Sequence, residues 1–150
     1  MEKLHPDYKE FIQLLNENKV DYLIVGAFAM AFHGHPRNTG DIDVWINNKE
    51  QNAIKIYKTI IDFGFPSDEL TVKDFTSKDL IFQMGYPPVR IDVLTSIEAL
   101  NFEECFLKKE IKNFDDLAIS FLSLEDLKIN KKAVGRKKDL ADLEVLSKSK

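Results

Sequence analysis

The sequence predicts an α+β fold: a mixed sheet of about five strands, with helices packed on one side of it and two helices at its C-terminal end. Three observations predict it. A strand that reads as buried, Asp21 to Val25, ends at Gly26 and runs straight into an apolar helical segment. A second strand, Asp41 to Ile46, opens on two acids and continues in β-branched and aromatic residues. The last quarter of the chain changes to helical spacing with capping signals at both ends.

The elements follow in order. Pro6 and Asp7 mark a helix start, and Phe11, Leu14 and Leu15 give that helix one apolar face. Asn16 to Lys19 breaks it. After the Asp21–Val25 strand, the segment from about Ala27 to Phe32 is apolar all round, which predicts a buried helix. Gly34, Pro36 and Gly40 frame a loop before the Asp41 strand. Gln51 to Phe63 reads as a helix with Ile54, Tyr57, Ile60 and Ile61 inward. Trp45, Phe63 and Phe65 read as core. Leu80–Met84 and Val89–Leu94 are two further strands, with Gly85 to Pro88 as the turn of a hairpin. Cys105–Ile111 alternates weakly and Leu117–Phe121 alternates better, so both are expected as edge strands.

Ser123 with Asp126 three residues on is a capping-box pattern. Glu125 and Asp126 in the first turn and Lys131 and Lys132 in the last suit the helix dipole, and Gly135 suits the residue after the helix end. A final helix from about Lys137 to Leu146 should turn Leu140, Leu143 and Leu146 to one side. No repeat or linker divides the chain. The expectation is one domain over residues 1–150, with a core at about 20–121 and a helical appendage at about 122–147.

Composition excludes several classes. With 44% hydrophobic and 31% charged residues, the chain can bury a core. One cysteine, Cys105, leaves no internal disulfide, and the N-terminal residues lack a signal pattern, so a cytoplasmic location is expected. The longest apolar stretch, Tyr22 to Phe32, falls short of the roughly 20 residues that span a bilayer, so no membrane association is expected. A net charge of −4 argues against a surface that binds nucleic acid broadly. Against that trend, six basic residues lie between Lys128 and Lys138. Such a patch suits a small polyanion, or simply a solvated helix end.

The chemistry centres on Asp41-Ile42-Asp43. Residues two apart on a strand face the same side, about 6.6 Å apart, so two carboxylates so placed can hold one divalent ion or a pair. An EF-hand calcium loop needs an oxygen ligand at its fifth position and glycine at its sixth, where Trp45 and Ile46 stand. A phosphatase of the haloacid dehalogenase type carries its acids at the end of a strand, whereas here Val44-Trp45-Ile46 follow them. Asp92 interrupts a second apolar strand, Arg90-Ile91-Asp92-Val93-Leu94, and burying it calls for a metal or a cation such as Arg90. Gly26 lets backbone approach a ligand closely and leaves N–H groups free for phosphate. No P-loop and no G-x-G-x-x-G occurs. His33 and His35 lack a third partner and make a poor zinc site.

The stretch YLIVGAFAMAFHGHPRNTGDIDVWI resembles the signature of the DNA polymerase β-like nucleotidyltransferase superfamily, with thirteen residues between Ala27 and Asp41. It is most similar to the minimal bacterial branch that includes toxin–antitoxin and abortive-infection proteins. His33-Gly34, Arg37 and Thr39 match the residues before the acids, and KINKKAVGRKKDLADLEVL is similar to that branch's basic turn followed by Lys-Asp-x-x-Asp. The likeness covers about Asp21 to Leu146. It implies a nucleotidyltransferase fold and transfer of a nucleoside monophosphate from a nucleoside triphosphate to an acceptor hydroxyl, with Mg²⁺ or Mn²⁺. Asp41, Asp43 and Asp92 would be the catalytic metal ligands. Gly26, Ala27, Arg37, Thr39, Lys131, Arg136, Lys138 and Asp139 would contact nucleotide, with Asp142 on the same helix face. A protein or tRNA acceptor and a small helical partner protein are the implied partners. Ala27 stands where the family has a second glycine or a serine. That supports an alternative, a catalytically weak or inactive nucleotide-binding component of a toxin–antitoxin-type system.

Overall fold

A computed structural model describes residues 4–35, 40–65, 68 and 70–148. In chain order it contains α1 (Pro6–Glu17), β1 (Tyr22–Val25), α2 (Gly26–Phe32), β2 (Asp41–Ile46) and α3 (Glu50–Phe63). A short 3₁₀ helix, Val72–Thr76, leads to β3 (Ile81–Tyr86) and β4 (Val89–Leu94). Then come α4 (Phe102–Leu107), β5 (Glu110–Phe114), β6 (Leu117–Phe121), α5 (Leu124–Val134) and α6 (Lys137–Ser147).

The strands form one mixed sheet in the order β3-β4-β2-β1-β6-β5. The fold class is the one expected from sequence, with six strands rather than about five. β2 and β4 run parallel, while β1–β2, β3–β4 and β5–β6 are antiparallel. Because side chains alternate, Ile42, Val44 and Ile46 share one face of β2, and Asp41, Asp43 and Trp45 share the other.

Both faces of the sheet centre are covered. Behind the Ile42 face, α1 and α3 tie themselves to β1 by hydrogen bonds. Tyr22, paired across from Ile46, bonds Asn16 of α1 through its hydroxyl. The Asn52 side chain of α3 accepts from the Asp21 N–H and donates to the carbonyls of Asp21 and Asn47. On the acid-bearing face, Trp45 packs edge-on to Phe102 of α4, with ring centroids 5.0 Å apart. Helices therefore do not all lie on one side, as the sequence suggested. Segment 102–107 is helix, not the start of an edge strand; Asn101 caps it by accepting from the Glu104 N–H. Its role is to cover the indole of Trp45, which is 2% exposed.

Two helices present a different face from the one their apolar spacing indicated. On α3 the buried residues are Asn52, Ala53, Ile56, Thr59 and Ile60, while Ile54 and Ile61 are exposed. On α6 they are Asp139, Asp142 and Leu146, while Leu140 is exposed. Polar residues take the inward positions because each finds a partner there, such as the Asn52 bonds to β1. Phe65, expected in the core, is partly exposed and stacks on Phe63 at the edge. Of the capping box read at Ser123, one half forms: Ser123 accepts from the Asp126 N–H, while the Asp126 carboxylate takes Lys108 instead; Gly135 ends α5 at φ +69°, as expected.

Candidate active site

Register and alternation assemble the site. Asp41 pairs with Arg90 and Asp43 with Asp92 across the parallel β2–β4 ladder, so all four side chains project from one face. The carboxylates of Asp41, Asp43 and Asp92 each place an oxygen within 4.8 Å of the others. Three hard oxygen donors so close match the demand of Mg²⁺ or Mn²⁺ for a few protein carboxylates, with the remaining positions left to water and phosphate. The residues fit a divalent cation.

Gly26 completes the geometry. It begins α2 at φ +67°, a left-handed conformation, and an added Cβ would lie 2.3 Å from Asp43 Oδ2. Glycine is thus required twice, for its backbone angle and for the space Asp43 occupies. Sequence reasoning placed Gly26 as a close approach to ligand; what approaches it here is the Asp43 carboxylate.

The acids are crowded with like charge. Burial pushes the Asp43 carboxyl up to about 7, aided by the charges of Asp41 and Asp92 and opposed by those of Arg90 and Lys131. Burial also raises Asp92, which is 5% exposed, against the pull of Arg90. Arg90 is the local counterion. Its Nη2 donates to Asp41 Oδ2 at 2.7 Å and to Asp92 Oδ2 at 3.0 Å, and its Nε donates to Asp92 Oδ1 at 2.8 Å. The sequence posed metal ligation and a salt bridge to Arg90 as alternatives for Asp92. The structure holds the salt bridge and the acid triad together.

A cleft of about 790 Å³ opens over the acids. Asp41, Asp43, Gly26 and Ala27 line it from the sheet, and Lys131, Arg136, Lys138 and Asp139 line it from α5 and α6. Asp142 stands beside them: Lys131, 7% exposed, sits 3.0 Å from Asp142 Oδ2 and 3.4 Å from Asp139 Oδ1. Burial would raise Asp139, but the hydrogen bond from Arg136 and the charge of Lys131 prevail and hold it below the usual carboxylate range. Arg37 and Thr39 lie outside the described residues. His33 is structural, its Nε2 lying 2.9 Å from the Leu122 carbonyl oxygen.

Sequence reasoning missed the third wall. Leu94 and Ser96 to Leu100, with Lys78, also line the cleft. Its residues carry no motif, and only the β4 register brings them beside the acids.

This arrangement can be set against known proteins. Residues 2–147 match the family described as nucleotidyltransferase of unknown function (DUF6036). The chain belongs to this family. The family's general chemistry is nucleotidyl transfer. No curated protein matches the chain by sequence. Among solved structures, a candidate nucleotidyltransferase from Thermotoga maritima superposes with a TM-score of 0.63 at 17% identity, covering 95% of this chain and 94% of that one. A lincosamide antibiotic adenylyltransferase, LnuA, with lincomycin bound, gives 0.58 at 15% identity and 99% coverage of both chains. An antigenic nucleotidyltransferase-like protein from Paracoccidioides brasiliensis gives 0.55 at 19% identity, covering 92% of this chain and 72% of that one. At these identities the likeness speaks to the fold. Among the described residues, no helix is long and apolar enough to cross a membrane.

Proposed function

We propose that this nucleotidyltransferase moves a nucleoside monophosphate from a nucleoside triphosphate to an acceptor hydroxyl, with Mg²⁺ or Mn²⁺ held by Asp41, Asp43 and Asp92. The observation that carries the reading is the three-carboxylate cluster, of which Asp41 and Asp43 line a cleft faced by Lys131, Arg136 and Lys138. Divalent ions at such a cluster neutralise phosphate charge and stabilise both the attacking and the leaving oxygens. The chain's own residues do the rest. Gly26 and Ala27 form the wall along which the triphosphate lies. Lys131, kept in place by Asp139 and Asp142, offers a desolvated cation to its phosphates, and Arg136 and Lys138 extend that positive surface. Asp92, pushed upward by burial, is suited to take the proton of the acceptor hydroxyl. Arg37 and Thr39 are proposed to contact nucleotide from the loop before β2.

The test is triphosphate binding and turnover in the presence of Mg²⁺, with each labelled nucleoside triphosphate and a cell extract to supply the acceptor. Asp43→Ala should abolish both metal-dependent binding and labelled product. Unchanged binding would remove the acids from the site. Ala27, which lines the cleft without a hydroxyl, favours a second reading: a nucleotide-binding component of a toxin–antitoxin-type pair. It predicts triphosphate binding without labelled product in the same assay.

A further inference from the structure

Arg90 occupies an unusual position for an active-site arginine. It is not on the basic wall formed by α5 and α6. It stands on β4 in register with Asp41, two residues before Asp92, and its guanidinium ties both of those acids to itself. One nitrogen, Nη2, bridges Asp41 Oδ2 and Asp92 Oδ2 at 2.7 and 3.0 Å, while Nε takes the other oxygen of Asp92. Arg90 acts on Asp43, the third member of the triad, through its charge.

A cation that bridges two carboxylates lies close to where a metal ion shared by those carboxylates would place its charge. We propose that Arg90 is a resident counter-cation that holds the triad together and sets its affinity for divalent ions. By cancelling one of three negative charges, it keeps metal binding weak until the phosphates of a nucleotide add negative charge of their own. The cluster thus binds its ion weakly by itself and more tightly together with the triphosphate. This inference rests on the metal reading of Asp41, Asp43 and Asp92. Arg90 acts here through those acids, as a positioning residue.

The rival role for the same contacts is a plain strut. The two differ in sign. If Arg90 only held the acids in place, removing it would loosen the cluster and weaken metal binding. If its charge opposes the metal, removing it strengthens binding. A unit charge roughly 5 Å from a divalent ion in a water-like dielectric changes affinity by about tenfold.

The experiment is a titration of the purified chain with Mn²⁺ alone, read by the electron paramagnetic resonance signal of the free ion. It uses the wild type, Arg90→Gln, Arg90→Lys and Asp43→Asn. Gln keeps donors on the strand but no charge, while Lys keeps the charge with simpler geometry. The expected result is Mn²⁺ binding about tenfold tighter in Arg90→Gln, a midpoint within about threefold of wild type in Arg90→Lys, and loss of binding in Asp43→Asn. Equal or weaker binding in Arg90→Gln, with wild-type binding intact, overturns the role of Arg90 and leaves the metal reading standing. No Mn²⁺ binding by wild type or Arg90→Gln overturns both. If Arg90→Gln does not fold, tighter binding by Arg90→Lys still overturns the inference and unchanged binding supports it.

Discussion

Replacing Asp43 by Asn should stabilise the metal-free protein at pH 8 while destroying its metal site. In the native state the Asp43 carboxyl is held up at about 7, against a reference of 3.8, by burial and the neighbouring acids. A carboxyl raised on folding binds its proton more tightly in the native state than in the unfolded chain. Its contribution to stability is therefore lost as pH rises from about 4 to about 7, and above that window the native state carries the full cost of an ionised, crowded acid. The rise from 3.8 to about 7 sets an upper bound of about 4 kcal/mol. Coupling to Asp41 and Asp92 and the openness of the cleft reduce this, so about 2 kcal/mol is the working figure. Asn has nearly the shape of Asp and fits the space beside Gly26, so it removes the charge without a new clash. For a chain of this size about 2 kcal/mol raises Tm by roughly 4–8 °C. The assay is thermal melting in EDTA across pH 5 to 8.5, repeated with Mg²⁺. Wild type should lose stability relative to Asp43→Asn as pH climbs, and Mg²⁺ should raise the melting point of wild type alone. A variant that melts below wild type in EDTA at pH 8, or two parallel pH profiles, would refute the electrostatic reasoning.

Gly26→Ala should destabilise by about 1–3 kcal/mol from its left-handed backbone and lower Mn²⁺ affinity, because the new methyl displaces Asp43; melting and Mn²⁺ titration check it. Lys131→Met should leave Asp139 and Asp142 facing each other without the amine between them, costing about 3–5 kcal/mol in denaturant unfolding. Adding Asp142→Asn to that variant should recover part of the loss, while triphosphate binding stays weak, which separates folding from binding. Trp45→Ala should cost about 3–5 kcal/mol by opening a cavity against Phe102, measured by urea denaturation.

The acids were legible in sequence because their signal is local. Asp41 and Asp43 alternate along one strand, Asp92 interrupts another, and the β2–β4 register brings them together. Helix ends were legible for the same reason, since Ser123 and Gly135 act within a turn of their own positions. What sequence did not show depends on partners far along the chain. The inward faces of α3 and α6 carry Asn52, Asp139 and Asp142, which are buried because Asp21, Asn47, Lys131 and Arg136 satisfy them. Apolar spacing alone instead selects Ile54 or Leu140, which are exposed. The helix at Phe102 was obscured because its task is to cover Trp45, a residue 57 positions earlier. The wall of Leu94 and Ser96 to Leu100 has no chemical signature and belongs to the cleft only by position.

Transfer itself is tested most directly by supplying the donor triphosphate in two labelled forms, one at the α-phosphate and one at the γ-phosphate, with Mg²⁺ and cell extract. Nucleotidyl transfer at Asp41, Asp43 and Asp92 predicts that the α label appears on the acceptor, that the γ label leaves as pyrophosphate, and that Asp43→Asn yields neither. Transfer of the γ label to the acceptor, or α-label transfer undiminished in Asp43→Asn, would contradict it.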